Sequence, residues 1–133
     1  MNAKEKINKA KEALETMHKQ SLMPNGEYLT LRSNLNGEEA EGIAERILAV
    51  YNTFKTMPKT YETDGQKEKT AYLHYFKNSH DFYIYEKDQI EDEQIQAFGL
   101  TKCNGESEIG YISLVELTGI GVELDLYWTP QVV

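Results

Sequence analysis

Thr70-Ala71-Tyr72-Leu73-His74-Tyr75-Phe76-Lys77-Asn78-Ser79-His80-Asp81-Phe82-Tyr83-Ile84-Tyr85-Glu86-Lys87 decides the fold, because here the apolar pattern changes from a helical period to a period of two. Thr70 to Lys77 reads as one strand, Asp81 to Lys87 as a second, and Lys77-Asn78-Ser79-His80 as their connection, giving an antiparallel hairpin. One face of the first strand would show Tyr72, His74 and Phe76, and the other Ala71, Leu73 and Tyr75. On the second strand Phe82 and Ile84 oppose Tyr83 and Tyr85.

Upstream of the hairpin the period is that of a helix. Ala3, Ile7, Ala10, Leu14 and Met17 mark a narrow apolar stripe between Ala3 and Gln20, with Lys11 and Glu15 at the spacing that lets opposite charges meet. Pro24-Asn25-Gly26 is a breaker, and Tyr28-Leu29-Thr30-Leu31 reads as a short strand between breakers. Ala40, Ile43, Ala44, Ile47, Leu48, Tyr51 and Phe54 define a second helix, with Asn36 as a candidate cap and Glu38, Glu39 and Glu41 at the positive end of its dipole. Met57-Pro58 ends it, and Lys59 to Lys69 is a polar linker.

Downstream, Glu86 to Glu93 reads as a solvated acidic loop and Gln94 to Lys102 as a strand centred on Phe98-Gly99-Leu100. Asn104-Gly105 is a strong turn signal. Glu108 to Ile112 is a short strand, Ser113 caps a helical turn through Leu117, and Gly110 and Gly121 permit turns. Val122 to Trp128 is the last strand, with Val122, Leu124 and Leu126 inward. The expectation is one α+β domain over residues 1–133, with a mainly helical part, 1–58, and a mainly sheet part, 70–130. Two N-terminal helices would pack on an antiparallel sheet of about four or five strands.

Charge narrows the function. The net charge is −8, and residues 81–133 alone hold 2 Lys and Arg against 11 acids, a balance of −9. Such a field repels phosphates, so direct nucleic-acid binding through this half is not expected, whereas a basic protein patch suits it. One cysteine, Cys103, permits no intramolecular disulfide. The N-terminus has no signal-like apolar core, and no stretch is long and apolar enough to cross a membrane, so the cytoplasm is the default.

Known chemistries find little support. His18, His74, His80 and Cys103 lack the paired spacing of a zinc site, and His74 reads as a packed or edge histidine. Asp88, Glu91, Asp92 and Glu93 fail the calcium-loop pattern because Ile90 breaks the alternation and Glu93 stands where a glycine is needed. Gly119-Ile120-Gly121 lacks the rest of a phosphate-binding signature, and no nucleophile has a paired base readable from the sequence. No catalytic, metal or cofactor residue is therefore assigned. Glu108, Glu123, Asp125, Tyr127 and Trp128 remain as an acidic, aromatic edge able to touch a protein partner, Tyr and Trp being common interface anchors.

Phe98-Gly99-Leu100, Glu108-Ile109-Gly110-Tyr111-Ile112-Ser113-Leu114 with Glu116-Leu117, and Glu123-Leu124-Asp125-Leu126 with Thr129-Pro130 together resemble the domain of unknown function 2958 family over about residues 70–130. Leu124 stands where relatives often carry an arginine. The resemblance implies a setting on plasmids, conjugative elements or phages, beside DNA-transfer and anti-restriction genes, and supplies no catalytic residues. The reading is thus a non-enzymatic accessory module that engages a basic protein. A metal-dependent enzyme on single-stranded nucleic acid, with Glu108, Glu123 and Asp125 as ligands, and a charge-mimic inhibitor of a host defence protein are the alternatives.

Overall fold

A computed structural model describes residues 1–133 as an α+β domain whose three longer helices precede its sheet. Helix α1 (Ala3–Lys19) begins where the Asn2 side chain accepts the Glu5 amide at 2.9 Å, and buries Ala10, Ala13, Leu14 and Met17. Helix α3 (Ala40–Thr56) buries Ile43, Ala44, Ile47, Val50 and Phe54 against it, as its period requires.

Between them the chain forms a helix, α2 (Asn25–Asn34), where a strand over Tyr28 to Leu31 was expected. Pro24 opens this helix instead of breaking the fold: its carbonyl accepts the Tyr28 amide at 3.1 Å, and a proline at a helix start forfeits no bond. Tyr28 is the buried anchor, its ring stacked on His18 at 3.9 Å and its hydroxyl donating to Glu15. Asn36 does not cap α3, because the helix starts at Ala40 with Glu39 in the cap position; its side-chain oxygen instead accepts from Lys11 at 3.1 Å.

The sheet is built from β2 (Leu73–Lys77), β3 (His80–Glu86), β4 (Ala97–Cys103), β5 (Glu106–Ile112) and β6 (Glu123–Leu124), all antiparallel, in the order β5-β4-β3-β2-β6. The expected hairpin is β2–β3, with Leu73 opposite Ile84 and Lys77 opposite His80. One sheet face, carrying Leu73, Tyr75, Ile84, Ala97 and Ile112, joins the helices in the main core. Tyr75 is fully buried there, its hydroxyl donating to the Leu22 carbonyl at 2.6 Å, and burial holds that hydroxyl well above the usual tyrosine range. The other face holds a smaller cluster of Ala71, Tyr85 and Leu100 with Tyr83, Phe98, Trp128 and Val133. A two-stranded ribbon of β1 (Thr70–Ala71) and β7 (Gln131–Val132) brings the C-terminal segment to that cluster.

Gly99 shows why a glycine interrupts an otherwise bulky strand. A Cβ there would stand 2.0 Å from the Tyr83 carbonyl oxygen, beside the irregularity between Ile84 and Glu86. Asn104 and Gly105 both take positive φ, 51° and 86°, the two-residue turn expected between β4 and β5. Ser113 caps α4 (Leu114–Gly119) by accepting the Glu116 amide at 3.2 Å. Gly110, by contrast, lies inside β5 and makes no turn.

Residues 86–93 also depart from expectation, since the loop is not solvated at its start: Glu86, Lys87 and Asp88 are buried. Glu86 accepts the amides of Tyr61 and Thr63, both at 2.9 Å, and the Thr63 hydroxyl, so the supposed linker folds onto the sheet. Lys87 donates to the carbonyls of Phe54 at 2.8 Å and Lys55 at 3.0 Å, covering the exposed end of α3, and pairs with Glu91. Asp88 accepts from the amides of Ile90, Ile95 and Gln96. Burial works to raise its carboxyl, but these amides and that of Gln89 hold it below the ordinary range. No helix is long and apolar enough to cross a membrane.

Candidate functional site: an acidic groove at one sheet edge

β6 is short because Asp125 turns the chain out of the sheet. Its Oδ1 accepts the Tyr127 amide at 3.0 Å and its carbonyl accepts from Trp128 at 3.3 Å, so the strand expected over Val122 to Trp128 survives only as Glu123–Leu124. Val122, Leu124 and Leu126 nonetheless point into the core.

Between this edge, α2 and the start of α3 runs an open groove. Its middle section has a volume of about 350 Å³, with walls from Leu31, Ile43, Phe76, Leu124 and Tyr127 and carboxylates from Glu27, Glu39, Glu123 and Asp125. It continues past Glu27 and Glu123 toward Pro24 and Gly121, and past Asn34 and Glu39 toward Glu38. Five acids line this furrow and no lysine, arginine or histidine does. Only Asp125 among them has a basic side chain within hydrogen-bond reach, that of His74.

Glu27 is the most perturbed of the five. Burial, and then the nearby charges of Glu123 and Asp125, push its carboxyl up to about 7, although it accepts the Leu124 amide at 2.8 Å. A cation in the groove would return Glu27 to its charged form.

Asp125 is fixed by His74. The His74 ring places Nδ1 2.9 Å from Asp125 Oδ2 and Nε2 2.8 Å from Asp81 Oδ1, while stacking on Tyr83 at 4.9 Å. This packed histidine spans two carboxylates and orients both, and it offers no free nitrogen to a metal or substrate. Arg46 completes the support from α3: it donates to the carbonyls of Leu126 at 3.0 Å and Trp128 at 3.1 Å, and its guanidinium lies over the Tyr127 ring.

The residues expected to form one edge therefore separate. Glu123, Asp125 and Tyr127 come together in the groove, and Tyr127 is 70% exposed. Trp128 is half-buried instead of presented: its indole N–H donates to the Ala71 carbonyl at 3.0 Å and its ring packs on His74 and Tyr83. Glu108 lies on β5 at the opposite edge, four strand spacings away, or roughly 19 Å. A metal shell of Glu108, Glu123 and Asp125 is thus geometrically closed, and no three His, Cys, Asp or Glu side chains group elsewhere as metal ligands. Glu27, Glu38 and Glu39 were missed because their segment, 1–80, is nearly neutral overall; only the fold sets its acids against Glu123.

Comparisons with protein-family models, curated proteins and solved structures return no match.

Proposed function

We propose that the protein is a non-enzymatic interaction module whose groove along β6 holds a basic, partly apolar segment of a partner protein. One observation carries the reading: five carboxylates around an apolar floor, with no cation among the lining residues. Apolar contact with Phe76, Leu31 and Tyr127 supplies area, and the carboxylates select Lys and Arg over acidic competitors. Nucleic acid is disfavoured in the same place, because phosphates would meet Glu27, Glu38, Glu39 and Glu123. Accessory work in a mobile genetic element is the setting suggested by the resemblance of residues 70–130, and the cytoplasm is the compartment that goes with it.

The test is fluorescence anisotropy with a labelled peptide that alternates Lys or Arg with Leu in a helical period, against an acidic peptide of the same apolar pattern. The basic peptide is expected to bind, to weaken as salt is added, and to lose at least about tenfold in affinity to the Glu27→Gln, Glu123→Gln double variant. Equal binding of the acidic peptide, or indifference to the double variant, would sink the proposal. The metal-enzyme reading makes the opposite demand, a rise in melting temperature with magnesium, manganese or zinc. None is expected.

A further inference from the structure

At the other edge of the sheet β5 is seven residues long, carries no proline or lysine, and pairs only with β4. In the β4–β5 hairpin Cys103 and Glu106 flank the two-residue turn, so the ladder bonds fall at Glu106, Glu108, Gly110 and Ile112. The amides and carbonyls of Ser107, Ile109 and Tyr111 consequently point away from the sheet, and no other backbone or side-chain group bonds them. Proteins ordinarily blunt such an edge with a bulge, a proline, charged side chains or a covering segment, and of these β5 has only the charges of Glu106 and Glu108.

The side chains along this edge are two-faced. Ile109 and Tyr111 are exposed on the outer face, at 60% and 56%, beside Leu100 and Phe98 across the ladder. Glu106 and Glu108 project on the opposite face, beyond the reach of the helices and with no ion-pair partner. From this edge we infer that β5 is a docking strand for an extended basic segment of a partner protein, added antiparallel as a sixth strand. Three backbone residues supply the hydrogen bonds, Ile109 and the ring of Tyr111, whose hydroxyl is held by that of Tyr61 at 2.6 Å, meet apolar side chains, and Glu106 and Glu108 meet Lys or Arg at alternate positions.

A second copy of this chain fits worse. Antiparallel self-pairing centred on Ile109 would gather four glutamates on one face with no cation in either strand, between two molecules of charge −8. The β5 edge is independent of the groove along β6.

The experiment is titration of the full chain with a labelled peptide of strictly alternating Lys and Val, followed by anisotropy and by amide hydrogen exchange. Protection is expected at Ser107, Ile109 and Tyr111. Ile109→Pro removes one outward amide and no ladder bond, so it should keep the fold and weaken binding about tenfold. Glu106→Lys with Glu108→Lys, which leaves the backbone intact, should weaken it comparably, and Glu27→Gln with Glu123→Gln should change nothing. Three results would overturn the proposal: an equally good Glu-Val peptide, binding insensitive to both β5 variants, or a dimer in solution that Ile109→Pro abolishes.

Discussion

The two edges of one sheet solve the same problem in opposite ways. At β6 the strand is two residues long and its backbone is spoken for: Glu27 accepts the Leu124 amide, and the Asp125 amide donates to the His74 carbonyl at 2.8 Å. What remains there is a side-chain surface, acids and rings walled in by α2 and α3. At β5 the strand is long and no helix stands beside it, so the backbone itself is on offer. A groove discriminates by charge and shape, whereas an open strand discriminates by alternation. The same net charge therefore sits in two different settings, decided by what the fold places next to each edge.

The severest way to break this contrast is at the strand between the edges. Gly99→Ala forces a Cβ onto the Tyr83 carbonyl and should cost about 3 kcal/mol or more, the top of the overpacking range, because the clash is with backbone that cannot swing aside. Denaturant unfolding reads the loss, and hydrogen exchange should show β4 and β5 released before β2 and β6. A variant as stable as the parent would refute the close approach.

Glu27 sharpens the groove side. Its carboxyl is raised from 4.5 to about 7, so the folded state holds the proton more tightly than the unfolded chain. This contribution is fully present below pH 4.5 and is lost as pH rises through 7. Glu27→Gln keeps an acceptor for Leu124 and removes that loss, so it should match the parent near pH 4.5 and exceed it at pH 8 by up to roughly 3 kcal/mol. Chemical denaturation at the two pH values measures the difference, and a parallel pair of stability curves would contradict the assignment.

His74→Phe keeps the stacking on Tyr83 and removes both carboxylate contacts. A loss of about 1 to 2 kcal/mol is expected, together with faster exchange at the Tyr127 and Trp128 amides, which Asp125 holds. At the β5 edge the smallest effect is expected: Glu108→Lys should change stability by no more than about 0.5 kcal/mol, since the carboxylate has no partner to lose.

Local signals were legible in the sequence and distant ones were not. The hairpin, the stripes of α1 and α3, the Asn104-Gly105 turn and the Ser113 cap all depend on neighbours within a few positions. Helix α2 escaped because a proline and a glycine read as punctuation, while its anchor Tyr28 finds His18 and Glu15 only once α1 is in place. Glu86, Lys87 and Asp88 looked like surface charges, yet two of them take partners 23 to 33 residues upstream: Glu86 binds Tyr61 and Thr63, and Lys87 caps α3. Of the candidate site, Glu123, Asp125 and Tyr127 were readable as an acidic edge. Their separation from Glu108 follows from strand order, which periodicity does not encode.

A basic segment held in the groove would settle against Glu27. Isothermal titration calorimetry of the basic helical-period peptide at pH 6.5, in buffers of different ionisation enthalpy, counts the protons exchanged on binding. Docking a cation beside a carboxyl raised to about 7 should release roughly half a proton or more, and none with Glu27→Gln. Binding with no proton release, or with the same release in both proteins, would contradict the account.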